Sequence, residues 1–310
     1  MNLIHSEKIA QAIQDLSEYD LLKGLCHEDI ESNPMPSAPV LMEVVNLCRA
    51  ILFPGYFGNA AVTRHNLSFH IGLNVEKLHQ LLSAQVLAGL YFQKHVEAHI
   101  KGDCDELPKN RLEQHAMSDQ AETISADFIA NLPSMRDLLA TDVLACYNGD
   151  PAADSMDEII YCYPAIKAIS NYRIAHSLLQ LGVPLIPRMI TEMAHSETGI
   201  DIHPGATIGS HFAIDHGTGV VIGATAVIGN NVKLYQGVTL GAKSFPLDED
   251  GHPIKGIPRH PILQDNVIIY SNATILGRIT IGENATVGGN IWVTEDVAPN
   301  ARVVQSKAKK

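Results

Sequence analysis

The sequence predicts an α+β protein: an α-helical domain over residues 1–199, a parallel β-helix over 200–298, and a tail, 299–310. Three observations predict it. Aliphatic residues recur every six positions through the last third of the chain. Gly, Asn and Asp recur at the fourth place of the same hexads. The preceding residues instead show apolar spacing of three and four.

The helical region comes first. Leu3, Ile9, Ile13, Leu16, Leu21 and Leu25 keep helical spacing, as do Val75, Leu78, Leu82, Val86 and Leu90, then Ile124, Phe128 and Ile129, then Ile159, Ile166, Ile169, Ile174 and Leu178. Pro34-Met35-Pro36 and Pro54-Gly55 break the helices, and Gly182-Val183-Pro184 interrupts a run continuing to about His195.

The hexads follow. Ile202, Ile208 and Ile214 are six apart, then Ile222, Ile228, Leu234 and Leu240, then Leu263, Ile269, Ile275, Ile281, Val287 and Val293. Ordinary short strands would not hold phase for so long, whereas a coil around inward aliphatic side chains must. Gly205, His211, Gly217, Thr225, Asn231, Gly237, Lys243, Asn266, Asn272, Arg278, Asn284, Asn290 and Asp296 fill the fourth places. Most reach positive φ cheaply, so each place is read as a corner. The fifth places (Ala206, Val232, Val238, Val267, Ala273, Ala285) fit inside. Two extra residues interrupt the phase at 215–221. The turn-rich, charged stretch of about 243–262 is read as a loop extruded from the coil.

Composition narrows the function. A net charge of −12 argues against non-specific nucleic-acid binding. No stretch approaches the roughly 20 apolar residues of a membrane span, and the first residues lack a signal peptide's pattern. Five unpaired cysteines, Cys26, Cys48, Cys104, Cys146 and Cys162, fit free thiols in a reducing cytoplasm.

The coil's inside is filled, so chemistry belongs to polar residues outside the aliphatic places. His216 is the third residue of its hexad, points outward and precedes the phase break; an imidazole suits general-base work near neutrality. One of 15 histidines is, on number alone, a solvated side chain. Asp201 lies fifteen residues earlier, nearly one coil of about eighteen, where a carboxylate could hold the imidazole's tautomer or simply cap a turn.

With these residues in view, the chain resembles the serine O-acetyltransferases over about residues 150–298. The motifs are Asp150-Pro151-Ala152, Tyr172-Arg173-Ile174-Ala175-His176, Asp201-Ile202-His203-Pro204, Asp215-His216, Leu240-Gly241 and Arg259-His260-Pro261. The hexads alone indicate only a hexapeptide-type acyltransferase. The resemblance implies a left-handed coil, an exception to the usual right-handed crossover. It implies transfer of acetyl from acetyl-CoA to the L-serine hydroxyl, in cysteine biosynthesis. His216 would be the base and Asp201 its orienting partner. Asp150 and Asp215 would hold the ammonium, Arg259 the carboxylate as a fork, and His260 would assist it. N–H groups at Gly241 and Ala242 are read as oxyanion donors. Pantetheine would lie near Ala242 and Ser271, with Lys243, Lys255 or Arg278 meeting phosphates. Acetyl-CoA is expected as cosubstrate, with no permanent cofactor and no metal, L-cysteine as inhibitor at the serine site, and a homotrimer or dimer of trimers.

Three departures stand out. Ala224 replaces a glutamate, the extruded loop is longer, and the sequence ends at Lys310 where many members end in isoleucine. The last predicts no tight complex with O-acetylserine sulfhydrylase. Two rivals share the scaffold. One is an acetyltransferase with another acceptor, such as a sugar. The other is a metalloenzyme like the γ-class carbonic anhydrases, for which His211, His216 and His176 offer partial spacing.

Overall fold

Short parallel strands stack into three sheets, the sides of a triangular prism, in a computed structural model that describes residues 3–18, 35–58, 61–101 and 111–305. One side holds β1 (Asp201–Ile202), β4 (Val221–Ile222), β7 (Thr239–Gly241), β10 (Thr274–Leu276) and β13 (Trp292–Val293). The second holds β2 (Thr207–Ile208), β5 (Val227–Ile228), β8 (Ile262–Leu263) and β11 (Thr280–Ile281). The third holds β3 (Ala213–Asp215), β6 (Lys233–Tyr235), β9 (Ile268–Ile269), β12 (Thr286–Val287) and β14 (Arg302–Val303). The fold is a left-handed parallel β-helix. Register stacks the aliphatic markers in columns, such as Ile222 on Leu240 on Ile275 on Val293, and all four are buried. Each such side chain contributes about 1.5–3 kcal/mol by leaving water. The pairing runs past residue 298: Arg302 and Val303 pair with Thr286 and Val287.

Only two of the three corner rows are left-handed. His211, Asn231, Asn266, Asn284 and Asn300 carry φ near 60° on one row; Gly217, Gly237, Asn272 and Asn290 are positive on the next. Gly205, Thr225, Lys243, Arg278 and Asp296, on the third row, are not. The expectation of a left-handed corner at every fourth place is corrected there. Thr, Lys and Arg carry a Cβ that penalises that conformation, so this row turns another way. Along the first row the asparagine amides join in a ladder, Asn231 Nδ2 to Asn266 Oδ1 (2.8 Å), then on to Asn284 and Asn300 (3.0 Å each). The ladder's first rung bridges the extruded loop, which leaves the coil after Gly241 and returns at Ile262.

The chain divides into two units, residues 1–35 and 36–310. In the first, α1 (Leu3–Ser17) leaves Ile9, Ile13 and Leu16 exposed. Leu21, Leu25, Cys26, Pro34, Cys104 and the sequence's end at Lys310 lie outside the described residues. The second unit carries α2 (Ala38–Leu52), α3 (Leu67–Lys101), α4 (Arg111–Gly149), α5 (Met156–Cys162), α6 (Pro164–Gln180) and α7 (Ile186–Thr198) ahead of the coil. Leu78, Leu82, Val86, Ile166, Ile169, Ile174 and Leu178 form its buried stripes.

These helices solve a problem that every strand stack has at its first turn, where backbone groups lack a preceding strand. From α6, the Tyr172 hydroxyl donates to Ala206 O (2.6 Å), Arg173 donates to Ile208 O (2.9 Å) and Gly209 O (2.7 Å), and His176 Nδ1 meets Pro204 O (2.8 Å). From α4, Thr141 Oγ1 accepts from His211 N (2.9 Å) and Asp142 from Phe212 N (3.0 Å). Arg173 and Asp142 are themselves paired bidentately at 3.0 and 3.1 Å, both buried. The Tyr172–His176 motif thus seats the helices on the coil.

Candidate functional site

Polar groups gather at both ends of the side that begins with β1. At the first end, α4 stops at Gly149 and Asp150 turns the chain. Its Oδ1 accepts from Ala152 N (2.8 Å) and its Oδ2 from the Tyr163 hydroxyl (2.6 Å). The Tyr163 hydrogen bond, then that of Ala152, holds the Asp150 carboxyl below its usual range; Lys233 and His216 add to this. Asp215 closes β3 and shares a narrow crevice with Asp150, Tyr163 and Cys146. Lys233 Nζ sits 2.9 Å from Asp215 Oδ2, donates to Gly149 O (2.6 Å) and lies 4.5 Å from the Tyr235 ring centre. Burial pulls this ammonium's pKa down, but Asp215 and Tyr235 outweigh burial and raise it. Burial pushes the Cys146 thiol to about 12, too high for a thiolate nucleophile at neutral pH.

His216 follows at φ 58°, with its side chain 74% exposed. Its Nε2 is 3.7 Å from Asp215 Oδ1, an electrostatic contact longer than a hydrogen bond. Gly217 beside it also has positive φ, and a Cβ there would strike the Ile200 side chain. No hydrogen bond joins Asp201 to His216 among the described residues. Asp201 has Arg188 as its charged neighbour, Nη1 to Oδ1 3.8 Å. The reason is the phase break: the first coil is twenty residues long, so residue 201 stacks on 221.

At the other end, His260 is buried against Thr225. Its Nδ1 accepts from Thr225 N (3.1 Å), and Thr225 Oγ1 accepts from Arg259 N (2.9 Å) and His260 N (3.1 Å). Arg278 Nη1 donates to Thr225 O (2.7 Å) and His260 O (3.0 Å). Burial, then Arg259, His203 and Arg278, pulls the His260 pKa down to about 4. The ring is therefore neutral at pH 7. Since Nδ1 accepts a backbone N–H, its proton sits on Nε2, ready to donate. Gly223 makes room, for a Cβ there would overlap the His260 ring. The Arg259 guanidinium lies 5.8 Å from the Phe245 ring centre, and its buried Nε has no hydrogen-bond partner among the described residues. Nearby, His203 has its pKa lowered by burial first and then by Arg188.

The remaining expected residues are more dispersed. Gly241 ends β7 and accepts from Gly277 N (3.0 Å); Ala242 is half-buried; Lys243 and Lys255 are exposed. Ser271 is half-buried, and its carbonyl accepts from Asn290 N (2.9 Å). His176 lies in α6 and His211 contacts Ser210 Oγ (3.2 Å). Among the described residues, groups close enough to share a metal are Glu192–His195–Asp201 and Asp248–Asp250–His252, without His176, His211 or His216. Arg188 already pairs with Glu192 in the first. The sequence reading missed Tyr163, Lys233, Gly223 and Thr225 as parts of the site. Only Thr225 carried a signal, standing at a corner where Gly or Asn is usual.

No protein-family model matches the chain. A plasmid serine acetyltransferase of Synechococcus elongatus is 46% identical over 276 residues, covering 89% of this chain and 83% of that protein. Serine acetyltransferase 1 of Entamoeba histolytica, solved with L-cysteine, is 33% identical with TM-score 0.70, covering 90% of this chain and 93% of that one. The Neisseria gonorrhoeae serine acetyltransferase, solved with serine, is 26% identical with TM-score 0.53, covering 91% of this chain and all of that one.

Proposed function

The chain belongs to the serine acetyltransferase family, and from that premise we propose that it moves acetyl from acetyl-CoA to the hydroxyl of L-serine by direct attack, with His216 as base. One observation carries the reading. Carboxylates and an exposed imidazole occupy one end of a coil side, and a guanidinium whose Nε has no hydrogen-bond partner among the described residues, with a neutral imidazole, occupies the other. A zwitterionic amino alcohol needs an anion for its ammonium, a cation for its carboxylate and a base at its hydroxyl.

Asp150 and Asp215 take the ammonium; Arg259 takes the carboxylate, with His260 Nε2 donating to it. His216 removes the hydroxyl proton as the oxygen attacks the thioester carbonyl, and N–H groups at Gly241 and Ala242 receive the developing oxyanion; its collapse breaks the C–S bond, and the leaving CoA thiolate takes the proton from His216. Asp201 keeps its assignment as orienting carboxylate on the resemblance, while Asp215 is the carboxylate beside the ring. Comparing Asp201→Asn with Asp215→Asn separates the two: loss of turnover at unchanged serine KM marks the orienting group.

The two ends lie one six-residue side apart, roughly 15–20 Å at ~3.3 Å per residue. One amino acid cannot reach both. We therefore read the site as shared between adjoining protomers of a homotrimer, or of a dimer of trimers, in the cytoplasm, with acetyl-CoA lying along Ala242, Lys243 and Ser271. The solved relatives with cysteine and with serine support both ligands competing for this site. The test is acetylation of serine, homoserine and amino sugars with acetyl-CoA, with the mass in solution. Turnover of serine alone by a trimer or hexamer is expected; an amino sugar as better acceptor would overturn the reading.

A further inference from the structure

We propose that Lys233 is a positioning residue for the ammonium end of the substrate: one half-buried lysine ties the turn that carries Asp150 to the Asp215 carboxylate and supplies the counter-charge between them. The inference rests on the function proposed above and goes beyond it, since no part of that assignment uses residue 233.

Lys233 is 17% exposed and reaches two elements that meet only in the folded chain. Its Nζ donates to the carbonyl of Gly149, the residue before Asp150, and contacts Asp215 Oδ2 at 2.9 Å. Among the described residues, Asp150 accepts from uncharged donors alone, Tyr163 Oη–H and Ala152 N–H. The two carboxylates open on one crevice, where two unscreened anions would repel. The lysine removes that conflict. It leaves Asp150 as the unpaired anion for the incoming ammonium, and the site is neutral once serine is bound. Ala213, small and in register with residue 233, lines the same crevice. The Tyr235 ring, stacked on Tyr270 at 4.9 Å, lies 4.5 Å from the same ammonium.

The test compares Lys233→Met and Lys233→Arg with wild type in steady-state kinetics and cysteine inhibition, with circular dichroism and mass as folding controls. In Lys233→Met, the serine KM and the cysteine inhibition constant should both rise about tenfold or more, while the acetyl-CoA KM stays within about twofold. Lys233→Arg should recover most of the loss. An unchanged or lower serine KM would overturn the inference, the latter by showing that lysine competes with the substrate. An equal rise in the acetyl-CoA KM would overturn it too, by showing general loosening. Should Lys233→Met fail to fold, Lys233→Arg decides: a retained charge must keep serine KM within about threefold of wild type. Absence of serine acetylation in the wild type would sink the functional reading instead, so the two failures are distinguishable.

Discussion

The two ends of the first prism side handle charge in opposite ways. At the Asp150 end, carboxylates are held by partners: a tyrosine hydroxyl, a backbone N–H and a lysine. At the His260 end, burial first and then two arginines and His203 keep an imidazole uncharged, and a backbone N–H fixes its tautomer. The first end is built by a helix terminus docked on the coil; the second is built by the return of a loop onto a threonine corner. On the proposed function, the difference divides recognition of the substrate between scaffold and loop, so damage to either should show a separate kinetic signature.

The largest expected effect ignores that division. His216→Ala should lower turnover by about 10²–10⁴ at unchanged folding, since the base serves both ends; wild-type rates would refute the assignment. Next comes the support of the Asp150 end. Arg173→Met leaves Asp142 buried without its partner and should cost about 3–5 kcal/mol, seen as a lower melting temperature, with the His260 end unaffected until unfolding. At the loop end, Arg259→Lys loses the fork and should raise serine KM about tenfold, leaving acetyl-CoA KM alone. Gly223→Ala should do the same more mildly by displacing the His260 ring.

The smallest effect is on stability against pH. The His260 pKa falls from 6.5 to about 4 on folding. Its contribution is present above 6.5 and is lost as pH falls through about 4, because the unfolded chain takes up the proton first. Thermal melts from pH 7 to 4 should fall less steeply in His260→Gln than in wild type.

The hexad period made the coil and its interior legible because every aliphatic column repeats the same steric demand. The corners were less so. Thr225, Lys243 and Arg278 looked like scattered exceptions; taken every third hexad, they lie on one row, the row whose fourth places are not left-handed. Asp201 and His216 were expected on neighbouring coils by counting eighteen residues. The two inserted residues moved the register to 201 on 221, which local spacing cannot convey. Lys233 was invisible for a different reason. Its partner carbonyl is at Gly149, 84 positions away, and only the docking of α4 creates the contact. The Tyr172–Arg173 pair was legible as a motif but not as the cap of the first coil, since its acceptors are main-chain atoms.

The asparagine ladder has a consequence for how this scaffold can change. Because Asn231 clasps Asn266 across the excursion, the prism's phase is locked on both sides of residues 242–261. Residues 246–258, between the Ala242–Lys243 stretch and the Arg259–His260 contacts with Thr225, can be recut in length or composition while the turns above and below stay aligned, so the rim of the site is free to drift, in evolution or in the laboratory, on an unaltered frame.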